Sequence, residues 1–349
     1  MKTWVRILLT VFCAALIAAV PFVISSPEYV PEEDDGETED YSDDEEAGFH
    51  LPGWLFGSAK AEEAIEVEDA EITNGFLEVE PGWKLPLDEF VKPAKPSASG
   101  FSENGYEDAT VRVRIEKEPG DQVEWIIAYI QIADPSQLRT AFTKKAAKVS
   151  SMAKANNAVI AISGDYCMND KQKTTFEVRM SQIVRRDGNG KKDMMVTDEN
   201  GDLHLFCKSE GLFARNKKNK WEYIYEGTVV NAFTFGPALV IDGELQKTDP
   251  DYGYNPNHKE PRAAIGQIDT LSYVFVLAAS SDRDGKTGVT HQELADKMYG
   301  IGCKQAFNLD GGGTAEIWFN GEVFRASPGS SERDQSDMIY IATLVPDGE

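Results

Sequence analysis

Residues Cys303 to Val323 read CKQAFNLDGGGTAEIWFNGEV, and the segment Asn308-Leu309-Asp310-Gly311-Gly312-Gly313-Thr314 decides how the rest of the chain is read. An apolar run (Ala306, Phe307, Leu309) stops at an acid followed by three glycines. A second run (Ile317, Trp318, Phe319) leads into Asn320-Gly321, the pair that best fits a tight hairpin turn. Asp310 therefore belongs at a strand end where the backbone turns sharply before the next strand. Consecutive glycines carry an entropic cost, so they mark positive φ or close backbone approach. Bare amides beside a carboxylate suit an anionic oxygen, with the acid free for chemistry. Glu316 reads as a solvated strand residue.

Outward from this segment, the same pattern recurs at Ile162-Ser163-Gly164-Asp165, where a short apolar strand beginning near Asn157 ends in glycine and aspartate. Rigid strand ends position catalytic groups well. Thr110 to Lys117 and Val123 to Ile132 alternate around Glu118-Pro119-Gly120-Asp121 and predict a hairpin. Ala141 to Ala155 is rich in alanine and lysine and predicts a helix. Phe233 to Glu244 predicts a strand with a Gly-Pro break and an Asp-Gly turn. Leu271 to Ala279 predicts a buried strand ending at Ser280-Ser281-Asp282-Arg283, and Met338 to Val345 a final strand. Thr290-His291-Gln292-Glu293 has the spacing of a capping box opening a helix through Tyr299.

The N-terminal quarter has another character. Lys2 and Arg6 precede an apolar run from Ile7 to Ile24, about 27 Å long as a helix and near the ~30 Å of a bilayer core. Residues 1–25 predict a signal peptide or signal anchor, with the remainder exported to the extracellular face of the plasma membrane or secreted. Residues 26–108 predict a largely disordered acidic linker, since a stretch such as Glu32 to Glu46 cannot bury enough apolar surface to order itself. It is interrupted by the apolar island Phe49 to Phe56. Residues 109–349 predict the folded domain. The net charge of −24 over 349 residues excludes nucleic acid and an anionic membrane face as main partners, because both would repel the chain. The membrane is expected as a partner only through the N-terminal segment.

The ordered series Ile162 to Tyr166, Phe235 to Gly243, Pro261 to Gly266, Gly288-Val289-Thr290 with Glu293 to Ala295, Gly302 through Thr314, and Arg333 resembles the phosphodiester glycosidase family. The likeness covers about Thr110 to Val345. It implies an α+β fold, a twisted mixed sheet with packed helices, and hydrolysis of a sugar joined through its anomeric carbon to a phosphodiester. A phosphate leaving group is a weak base, so such an enzyme depends less on a general acid than a two-carboxylate glycosidase does. It needs a carboxylate for water or C1, and donors for phosphate. The resemblance implies Asp310 and Asp165 as catalytic carboxylates and Arg262 as a bidentate phosphate clamp. Ser163, Gly164, Asn308, Gly311, Gly312, Gly313, Thr314, Asp282 and Arg333 are the implied substrate contacts. Where the family pattern has Asn-Gly, this chain has Ser163-Gly164, and a hydroxyl reaches less far than an amide.

No cofactor is required by these residues. The four histidines show no metal spacing, and the placement of Asp165 and Asp310 does not call for a divalent cation. Cys167, Cys207 and Cys303 allow at most one disulfide in the folded part. The partner expected is a carbohydrate or glycosyl phosphate in an extracellular glycan or envelope polymer. The competing readings are a glycan-binding or envelope-assembly protein without turnover, favoured by Ser163, and an enzyme that cuts an ordinary glycoside or the other P–O bond.

Overall fold

Strands Val111–Gly120 and Val123–Ile132 pair antiparallel with Val111 opposite Ile132, and Gln122 takes a φ of 63° in the two-residue turn between them. Alternation sends Val111, Val113 and Ile115 inward and Arg112 and Arg114 outward. The computed structural model describes residues 92–165, 175–186, 190–283 and 287–345. The expected N-terminal anchor, the acidic stretch, the Phe49 to Phe56 island and Cys167 lie outside the described residues. Among the described residues no helix is long and apolar enough to cross a membrane. The first strands, Phe101–Ser102 and Gly105–Glu107, already lie ahead of residue 109.

The hairpin sits within a nine-stranded sheet. Beyond Val123–Ile132 come Ser272–Ser280, Arg262–Asp269, Gln305–Asn308, Ala238–Ile241 and Glu244–Leu245. A second sheet of five strands is ordered Glu322–Arg325, Glu316–Phe319, Ile160–Ser163, Asp334–Ile341 and Leu138–Lys148. A third, also of five, is ordered Leu203–Phe206, Asp193–Thr197, Asn231–Phe235, Phe176–Arg179 and Gln182–Arg186. One buried cluster joins Phe275 and Phe307 of the first sheet, Ile162 and Ile317 of the second, and Met195 and Phe233 of the third. The first sheet thus packs against the other two. Burying each such side chain stabilises by roughly 1.5–3 kcal/mol.

The expected α+β fold with a mixed sheet is corrected. The described chain is mostly antiparallel β, and only two α-helices occur among the described residues, Val149–Ala155 and His291–Ile301. Every pairing between named strands is antiparallel. The helix expected over Ala141 to Ala155 is mostly strand. Leu138–Lys148 pairs with Asp334–Ile341 at a sheet edge, and helix begins only at Val149. Propensity yields there to tertiary pairing, and the lysines suit an exposed edge by discouraging further pairing.

Other expectations match local geometry. Thr290 Oγ1 accepts from the Glu293 amide while Glu293 accepts from the Thr290 amide, and Gly302 ends that helix in the left-handed region. Asn320 and Gly321 both take positive φ in the turn between Glu316–Phe319 and Glu322–Arg325. Cys207 and Cys303 are free thiols, so no disulfide joins them.

Candidate active site

The chain leaves the nine-stranded sheet at Asn308 and enters the second sheet at Glu316, so the Asp310 loop is the crossover between layers. The Leu309 amide donates to Ala263 O at 2.8 Å, and the Asp310 amide to Gly164 O at 3.0 Å. That second bond brings together the two strand ends singled out in the sequence. Strand Ile160–Ser163 is wholly buried between two neighbours, so its last residues have little freedom.

Asp310 keeps a partly open face. Its Oδ1 accepts from the Gly311 amide at 3.0 Å and its Oδ2 from Thr314 Oγ1 at 2.7 Å. Burial raises its carboxyl to about 6, the two donors oppose the rise, and Asp337 and Asp165 add to it. The group is mostly ionised at neutral pH. Gly312 takes a φ of 60° and its amide donates to Pro261 O at 2.7 Å. A side chain at Gly313 would meet Arg333, whose Nη1 lies 3.0 Å from the position a Cβ would take. Arg333 is exposed and makes no hydrogen bond or ion pair with any other described residue.

Asp165 is fully buried. Its Oδ1 receives Arg179 Nη2 at 2.6 Å and its Oδ2 receives the Thr234 amide at 2.9 Å. Arg179 also donates to Asp337 Oδ2 from Nε at 3.1 Å and Nη2 at 2.8 Å, and lies 3.3 Å from Glu177 Oε2. Its Nη1 donates to the carbonyls of Val178 and Ala232, and its guanidinium stacks 4.0 Å over Phe233. Three carboxylates thus share one cation in the interior. Burial pushes Glu177 well above the ordinary glutamate value, and its proximity to Asp165 pushes it further. Burial likewise raises Asp165 to about 6 against the pull of Arg179. Burial thus favours retention of a proton within this cluster. Gly164 is required by close approach, because the Asp337 carboxylate occupies the space a Cβ would need.

Sequence patterning alone does not single out Arg179, Glu177 and Asp337 as a cluster. The available sign was Phe176-Glu177-Val178-Arg179, where two charged residues two apart share one face of an apolar strand.

Arg262 is buried and its five donors are committed. Nε donates to Val289 O at 2.9 Å, Nη1 to Tyr254 O at 3.3 Å and His291 Nε2 at 2.7 Å, and Nη2 to Asn255 O at 2.8 Å and His258 O at 3.2 Å. In this structure the expected phosphate clamp instead ties down the loop that precedes it. Burial lowers Arg262 to about 10, which leaves it cationic. Burial, with Arg262 and Lys192 nearby, lowers His291 to about 2, so the neutral ring accepts. Ser163 is buried with its hydroxyl unpartnered, and Asn308 Nδ2 donates to Gly236 O at 2.7 Å. Asp282 stands in a separate turn after Ser280, whose Oγ bonds the Asp282 carbonyl at 3.2 Å. Glu316, expected in solvent, is buried beneath the start of helix Val149–Ala155. Burial raises it to about 8, with Glu332 adding to the rise. Among the described residues no three histidine, cysteine, aspartate or glutamate side chains are arranged to hold a metal ion.

The fold has a counterpart among solved structures. The zebrafish N-acetylglucosamine-1-phosphodiester alpha-N-acetylglucosaminidase catalytic domain, auto-inhibited by its pro-peptide, superposes with a TM-score of 0.51 at 16% identity, over 72% of this chain and 87% of that one. At that identity the likeness is one of fold. The model of the family described as phosphodiester glycosidase matches residues 156–342, more than half the chain and all of the site described above. The chain belongs to the phosphodiester glycosidase family. It is also 26% identical over 200 residues to the SPbeta prophage-derived uncharacterized protein YomE of Bacillus subtilis (strain 168). That match spans 56% of this chain and 29% of the relative.

Proposed function

We propose that this protein hydrolyses a glycosyl-1-phosphodiester, releasing the sugar from phosphate, with Asp310 as the carboxylate that activates water or meets C1. The observation that carries the reading is the position of Arg333 beside Gly313, three residues after Asp310. A partly open carboxylate, aimed by two donors, stands one short loop from an exposed guanidinium that no described residue engages. Asp165 and Arg262 are enclosed by protein partners and serve the site by holding it, whereas Arg333 is placed to meet a phosphate oxygen. A phosphate leaving group makes a strong general acid unnecessary, so one ionised carboxylate and one cation supply the needed charge.

The substrate we propose is an extracellular glycan or envelope polymer of the GlcNAc-1-phosphodiester type, which the basic, apolar N-terminal run and the acidic stretch after it support as a tether. The unpartnered Ser163 hydroxyl supports a second reading, a glycan-binding protein without turnover. Incubation with a simple GlcNAc-1-phosphodiester and with UDP-GlcNAc, following free sugar and phosphomonoester, separates the two. The parent is expected to release sugar, and Asp310→Asn to lower kcat by about 10²–10⁴-fold. Binding without release by the folded parent would favour the second reading.

A further inference from the structure

The turn that carries Asp310 holds three glycines in a row, so residues 311–313 have no side chains with which to fix themselves. The start of the turn is tied from outside, by the Asp310 amide to Gly164 O and the Gly312 amide to Pro261 O. Its far end closes on itself, with the Thr314 amide bonding Gly311 O and the Ala315 amide bonding Gly312 O, both at 3.3 Å. Thr314 is where the turn meets the carboxylate. Its Oγ1 lies 2.7 Å from Asp310 Oδ2 and 2.5 Å from Gly311 O. A hydroxyl has one proton, so which of these two acceptors receives it depends on where the Thr314 backbone is held.

Gln335 does that holding. Its Nε2 donates to the Thr314 carbonyl at 2.9 Å. Among the described residues, no other side chain outside the turn hydrogen-bonds the backbone of residues 310–315. Gln335 is fully buried, yet its Oε1 has no partner. A buried amide with one group unpaired costs stability that an apolar side chain of similar size would keep. Its donor, and not its packing, therefore accounts for this residue. The same strand start serves the site at two further points, with Arg333 beside Gly313 and Asp337 bound to Arg179. Its register against Leu138–Lys148 slips between Gln335 and Asp337, an irregularity of the kind that re-aims side chains beside functional sites.

We propose that Gln335 is a positioning residue, which by holding the Thr314 backbone directs the Thr314 hydroxyl onto Asp310 and keeps that carboxylate aimed for reaction. The proposal rests on Asp310 being the working carboxylate, as proposed above. No hydrogen bond joins Gln335 to Asp310, so its effect passes through Thr314.

The test reads the Asp310 carboxyl directly, by NMR on the full-length chain made with isotopically labelled aspartate. The resonance is assigned by its loss in Asp310→Asn. The parent is expected to titrate at about 6. A donor to the ionised form lowers a carboxyl, so Thr314→Val is expected to raise the midpoint by about one pH unit, and Gln335→Met by at least about half of that. With both substitutions the midpoint is expected to rise no further than with Thr314→Val alone. The acidic limb of kcat/KM for a GlcNAc-1-phosphodiester is expected to move up by the same amount. Gln335→Asn, one methylene too short for the Thr314 carbonyl, gives the same reading should the methionine protein not fold. Met152→Ala, which opens a cavity beneath helix Val149–Ala155, lowers stability and is expected to leave the midpoint in place. An unmoved midpoint in the Gln335 variants, shifts that add in the double variant, or an equal shift in Met152→Ala would each overturn the proposal. The titration needs no substrate, so a parent that titrates as described but releases no sugar would count against the hydrolase reading alone. Sugar release with a midpoint indifferent to Gln335 would count against this proposal alone.

Discussion

At the scale of single residues, the division of labour among the arginines is the most informative feature. Arg179 and Arg262 are spent on protein acceptors, and Arg333 is not. Arg333→Ala is expected to lower kcat/KM for a phosphodiester substrate by about tenfold, chiefly through KM, with partial rescue by lysine, which keeps the charge and loses the fork. Steady-state kinetics on the three proteins measures this. In the proposed role Asp310 must be ionised, and burial raises its carboxyl to about 6. The kcat/KM profile is therefore expected to fall about tenfold per pH unit below about 6. An acidic limb near the ordinary aspartate value would remove Asp310 from that role.

At the scale of elements, the loop before strand Arg262–Asp269 is held chiefly from one side chain. Arg262 bonds the carbonyls of Tyr254, Asn255 and His258, while the Gly312 amide bonds Pro261, so the loop and the Asp310 turn share an edge. Arg262→Met would remove the donor from these part-buried carbonyls, at about 1–3 kcal/mol for each one that water cannot reach. It is expected to lower stability by at least ~3 kcal/mol and to speed amide exchange across residues 252–260. Lysine in its place keeps the charge without the five-donor geometry and is expected to recover less than half of the loss.

At the scale of the whole molecule, Arg179 bolts two sheets together. Asp165 and Asp337 belong to the second sheet and its strand end, whereas Glu177, Arg179, Ala232 and Thr234 belong to the third. Arg179→Met would strand buried carboxylates and is expected to cost ~3–5 kcal/mol in denaturant unfolding. Glu177→Gln should behave differently. Glutamine keeps the shape of the side chain and has no proton to lose. Because burial raises Glu177 above its unfolded value of 4.5, the folded state binds its proton more tightly and loses that advantage as pH rises. The variant is therefore expected to match the parent below about pH 4 and to become the more stable of the two as pH rises above the ordinary glutamate value. Urea melts at several pH values would show a constant difference if Glu177 were ionised in the fold.

Local chemistry was legible in the sequence by itself. Asn320-Gly321 specified a turn, Thr290 with Glu293 specified a helix start, and glycine after apolar strands marked the two ends where Asp165 and Asp310 stand, because each depends on residues within a few positions. The tertiary structure alone decided the rest. Ala141 to Lys148 has the composition of a helix and became an edge strand because Asp334–Ile341, almost two hundred residues on, offered backbone partners. Glu316 looked like a surface acid and was buried by the helix laid over it. Arg179 meets Asp337 across 158 positions, and no local pattern encodes such a meeting. Charge on a strand shows only that a partner is needed, and packing chooses which.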